Sequence, residues 1–119
     1  MEWTELVEQF EHFVATREPP NDPRWRENFV AATTAMGQAY FPFDDGMFPT
    51  YSDESFDLAW VKGALGRILV IHVRADNWSM YWVDKTKQTE VVHPTVLQVN
   101  ERARWFFGEA FVPKYVEPS

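Results

Sequence analysis

The chain contains no cysteine. That excludes disulfides, thiolate zinc sites and cysteine nucleophiles together, and the simplest expectation for such a chain is a reducing, cytoplasmic setting. Long hydrophobic runs are also missing. The longest, ILVIHV at residues 68–73, falls far short of the roughly 20 residues that span a bilayer. The opening MEWTELVEQF carries acids where a signal peptide needs lysine or arginine, so neither a membrane segment nor a secretory leader is expected. No phosphate-cradling glycine motif and no G-x-S-x-G element occurs, and Gly63-Ala64-Leu65-Gly66 reads as a turn between strands. No internal repeat or low-complexity segment is visible.

Positive charge is absent from the middle of the chain. Residues 27–61 hold six acids and no base, the N-terminal flank nets −3 and the C-terminal flank +2, for −7 overall. Direct binding to nucleic acid, which needs clustered lysine and arginine, is therefore not expected. The balance instead suits solubility or a partner protein with a basic surface.

What is present is enough for one domain. The 119 residues fit a single core, with residues 111–119, which contain two prolines, as a tail. Trp3, Leu6, Val7, Phe10, Phe13 and Val14 form one apolar stripe at helical spacing, and Pro19-Pro20 closes that helix. Asp22-Pro23 has the chemistry of a second helix start, followed by Trp25, Phe29, Ala32, Thr33, Met36 and Tyr40 at the same period. From residue 56 the period becomes two. Phe56, Leu58 and Trp60 alternate; ILVIHVR reads as a central strand, apolar on both faces; WSMYWVD and TEVVH follow after short turns. Thr95-Val96-Leu97-Gln98 has the form of a capping box opening a last helix, although residues 96–99 also read as extended chain with the helix starting at Asn100. The expected fold is α+β: two N-terminal helices, a four-stranded antiparallel meander, and a C-terminal helix packed on one sheet face.

Residues 41–55, FPFDDGMFPTYSDES, stand between the helical and alternating regions. Pro42, Gly46 and Pro49 argue for a loop. Its rings, Phe41, Phe43, Phe48 and Tyr51, exceed what a turn needs. One reading makes them a plug for the end of the core; the other makes Phe43, Asp44, Asp45, Phe48, Tyr51, Asp53 and Glu54 a partner-binding surface of aromatic anchors and steering acids. Both hold if Phe41 and Phe48 point inward while Phe43 and Tyr51 point outward.

Chemical constellations are sparse. His12, His72 and His93 lie far apart, without the H-x-x-x-H or H-E-x-x-H spacing of a metal site. Asp44-Asp45 and Asp53-Glu54-Asp57 lack the calcium-loop pattern. Arg67, Arg74, Lys85 and Lys87 beside Trp78, Tyr81 and Trp82 are the nearest thing to a stacking stripe for single strands, set against an acidic whole. No catalytic, cofactor or metal residue is assigned. The leading expectation is a small acidic, non-enzymatic protein-binding module, of the kind found among inhibitors, immunity-type proteins and adaptors of bacterial or phage systems, with a homodimer compatible. Two alternatives remain: a DNA mimic occupying a nucleic-acid-binding protein, and a small enzyme using His72 or His93 as base.

Overall fold

The computed structural model describes residues 2–42 and 46–108. It is α+β, with three helices and one five-stranded antiparallel sheet.

Helix α1, Trp3–Ala15, buries Leu6, Phe10, Phe13 and Val14, the inner half of the expected stripe, while Trp3 at its start stays largely exposed. The Thr16 hydroxyl and the Arg17 Nε donate to the Phe13 carbonyl beside the Thr16 backbone N–H, reinforcing the last turn of the helix. Helix α2, Pro23–Gln38, starts as its chemistry dictates: the Asp22 carboxylate accepts from the Arg24 backbone N–H at 3.0 Å, with Pro23 at the first helical position. Tyr40 lies beyond this helix in a left-handed conformation and is exposed, so it is not part of the buried stripe.

Strand β1, Phe48–Tyr51, is the main departure from expectation. The segment read as loop contributes a fifth strand, paired antiparallel with β2, Phe56–Lys62. Pro49 allows this because β1 is an edge strand, where a missing N–H costs no ladder bond. Strands β3, Arg67–Val73, β4, Trp78–Asp84, and β5, Lys87–Val92, complete a meander in sequence order. A 3-10 turn at Gly63–Leu65 links β2 to β3, and Gly66 follows it at φ 64°. Helix α3, Val96–Phe107, carries the complete capping box: Gln98 N–H donates to the Thr95 Oγ1 at 3.1 Å and Thr95 N–H to the Gln98 Oε1 at 2.8 Å. The helix therefore starts at Val96, not at Asn100.

Because the side-chain period of a strand is two, the register sorts the sheet into two faces. Phe56, Leu58, Trp60, Leu69, Ile71, Val73, Trp78 and Met80 share one face and are all buried. The helices meet that face. Phe10 stacks on Phe29 with ring centroids 4.1 Å apart, and both rings reach Phe56. The packing differs in detail from the expected helix pair plus one. Helix α2 contacts β3, β4 and α3, and the buried Asn100 amide donates to the Ala39 carbonyl at 3.0 Å to join α3 to the end of α2. Phe41 fills the far end of this core between Trp60 and Phe107, so the plug reading holds for that ring.

Candidate functional site

Among the described residues no helix lies on the opposite face of the sheet, and the composition of that face is unusual for one turned to water. A half-solvated antiparallel sheet normally presents polar residues outward. Here more than half of the outward positions are apolar. Val61, Ile68 and Val83 form one cross-strand row, and Phe48, Ala59, Val70 and Tyr81 form the next. Val61 is 50% exposed and Phe48 42% exposed, Ile68, Tyr81 and Val83 are partly buried, and Ala59 and Val70 are buried.

The remaining part of this face is a connected polar network. The Asp57 Oδ1 lies 2.6 Å from the His72 Nδ1, with both side chains mostly sheltered. Arg74 donates from one Nη to the Ser79 hydroxyl at 2.9 Å and to the Glu90 carboxylate at 3.2 Å. The Ser79 hydroxyl bonds to Glu90, and this bond, followed by the Arg74 charge, holds the Glu90 carboxyl below its ordinary value against the opposing effect of burial. The tilted Tyr81 ring lies 5.6 Å from the His72 ring.

Asp57, His72 and Ser79 are direct cross-strand neighbours, the residue types of a nucleophilic triad. The geometry does not make one. Ser79 is 0% exposed and its hydroxyl is engaged by Arg74 and Glu90, so no substrate carbonyl reaches it. His72 keeps a carboxylate on Nδ1, which is the arrangement of an oriented base. Among the described residues no group of three His, Cys, Asp or Glu is placed to hold a metal ion.

Of the residues singled out in the sequence, Phe43, Asp44 and Asp45 lie outside the described residues. Phe48 points to the open face and not into the core, because its register partner is Ala59, whose side chain faces outward. Tyr51 is 67% exposed and leans on Phe13 at the helix-side margin of β1. Asp53 and Glu54 are exposed in the β1–β2 turn, where the Arg17 Nη1 comes within 3.6 Å of Asp53. The structure thus brings Phe48, Tyr51, Asp53 and Glu54 to one edge of the sheet.

Other constellations come apart. Trp78 is in the core, Arg74 is in the polar network, and Trp82 faces the helices beneath the Arg102 guanidinium at 4.1 Å, so no stacking stripe forms. Asp57 lies on the open face while the α1 glutamates ride over the other, so the described acids do not make the single stripe that DNA mimicry requires. A cleft of about 310 Å³ at the α1–α2 turn is lined by Arg17, Asp22, Arg24, Trp25 and Asp53, but its guanidiniums already hold carboxylates: Arg24 to Asp22 at 2.8 Å, Arg17 to Asp53.

The reading from sequence missed the open apolar rows. The available signal was the run ILVIHV, apolar on both faces, which implies cover on both sides where only one is supplied. No protein-family model, no curated protein and no solved structure matches this chain, so the reading rests on its own residues.

Proposed function

We propose that this chain is a protein-binding module that acts by covering a surface of its partner, as inhibitors and adaptors do, and that the open face of the sheet is its docking surface. The observation that carries the reading is the pair of apolar rows on a face that no helix of the described residues covers, with Val61, Ile68 and Val83 beside the exposed Phe48 and the partly exposed Tyr81. Contiguous apolar surface rimmed by polar groups marks interaction sites. Asp53 and Glu54 at the adjoining turn give the rim a negative edge, which suits a partner with basic groups there. No helix among the described residues is long and apolar enough to cross a membrane.

The test uses a photo-crosslinking amino acid at Val61, with the same label at Val30, which is 54% exposed on α2, as control. A discrete protein adduct from Val61, lost when Val83→Glu is added and not seen from Val30, is the expected result. Equal adducts from both positions, or none from Val61, would remove the docking reading.

The Asp57–His72 pair favours a second reading, a histidine-dependent enzyme in which Nε2 takes a proton from a bound substrate. Turnover of an ester, phosphoester or peptide substrate that disappears in His72→Ala, with the Val61 label silent, would replace the first reading by this one.

A further inference from the structure

The open face suits one occupant in particular. We infer that it is covered by a second copy of this chain, the two sheets packed face to face; this rests on the docking reading above and specifies the partner.

Charge is the first argument. The chain nets −7, so two copies repel in most orientations. On the open face, however, Asp57 is paired with His72 and Glu90 with Arg74, while Glu5, Glu8, Glu11 and Glu27 are exposed on the helices over the other face. Among the described residues Glu11 alone of those four glutamates is paired, with Arg26. Two copies meeting open face to open face therefore bring together the surfaces with least like charge. The polar groups there arrive already hydrogen-bonded, which reduces the cost of taking them out of water.

Self-complementarity is the second. A two-fold axis lying in the interface and running along β3 sets β3 over β3, β2 over β4 and β1 over β5 of the second copy, with rows preserved. Val61 then meets Val83 of the second copy, Ile68 meets its counterpart, and the small Ala59 meets the large Tyr81 ring. The polar row falls on the polar row, and at the margins Phe48 lies over Glu90 of the second copy. Aligned sheets pack within about 30° of parallel, which leaves these central pairings in place.

Area is the third. Five strands about 4.8 Å apart, the longer ones seven residues at about 3.3 Å each, span roughly 19 by 23 Å. That footprint is about half of the ~800 Å² that each partner buries in a standard interface, which is the size class of weak, transient contacts. Area alone does not fix affinity, and a weak, concentration-dependent dimer is expected.

The experiment is sedimentation equilibrium on the purified chain from about 1 to 300 µM, with variants on the open face whose folding is checked by circular dichroism. Wild type should dimerise. Val61→Glu should weaken the dimer at least ~30-fold, as a charge buried against an apolar side chain does. The double variant Val61→Glu/Val83→Lys should restore most of the affinity, because each new glutamate then faces a lysine of the second copy. Since the chain has no cysteine, Ile68→Cys with a short bismaleimide should give covalent dimer and Val30→Cys should not. A wild-type chain still monomeric at about 300 µM overturns the inference. In that case a Val61 adduct to a different protein keeps the docking reading, and no adduct ends both. A dimer indifferent to Val61→Glu, or one not rescued by the double variant, overturns the face or the axis assigned here.

Discussion

The two faces of one sheet differ in what holds them. The helix-side face is closed by contact: Phe56 meets rings from α1 and α2, and Trp60 meets Phe41. Among the described residues the open face is closed by its own cross-strand pairs, with a hydrogen-bonded network around Arg74 and the exposed Val61 beside it. Both faces are built from the same five strands and carry apolar residues at alternate positions. The difference lies in cover: the three helices of the described residues supply apolar surface to one face and not to the other.

The sharpest way to test that contrast is to cut into the covered side. Phe10→Ala or Phe29→Ala should lower stability by about 3–5 kcal/mol, because each removes a ring buried in the shared cluster and leaves a cavity. Chemical denaturation read at the midpoint measures this, and Val61→Ala on the open face should move it by less than about 0.5 kcal/mol. Comparable losses on both sides would show that the open face is part of the core.

Asn100→Ala comes next. The amide is buried and serves the Ala39 carbonyl, so its removal leaves that acceptor unpaired and should cost about 1–3 kcal/mol in the same assay. Thr95→Ala removes one half of the capping box and should cost roughly 1 kcal/mol, with helical ellipticity at α3 reporting the fraying.

The open-face network gives a smaller, pH-dependent effect. The folded-state pKa of Glu90 is depressed, first by the Ser79 hydroxyl and then by Arg74, so its contribution is present above the unfolded value near 4.5 and is lost as pH falls through the folded value. Its side chain is 38% exposed, which screens the gain to under about 1 kcal/mol. Thermal midpoints of wild type and Glu90→Gln should therefore differ slightly at neutral pH and converge in acid. Divergence in acid would reverse the assignment. Smallest of all, Asp53→Lys should leave the midpoint unchanged, since that carboxylate is fully exposed, and should slow only salt-sensitive association with a partner.

Much of this molecule is determined within a few residues of each position, and that part is legible in the sequence alone. The stripes of α1 and α2, the Asp22-Pro23 start and the Thr95–Gln98 box depend on helical spacing and on side chains reaching backbone groups next to them. The inner rows of the sheet follow from alternation. Even the Asp57–His72 pair was within reach, because a hairpin closed by Gly63 and Gly66 sets those two residues opposite each other, six positions out along each arm. Tertiary structure decided the rest. Residues 48–51 become a strand only because β2 offers an edge on which Pro49 needs no N–H, and that pairing turns Phe48 outward. The Ser79–Arg74–Glu90 network needs three strands in register before any of its bonds exists. Which apolar face stays open is set by how far three helices reach, a property of packed volumes that no local pattern encodes.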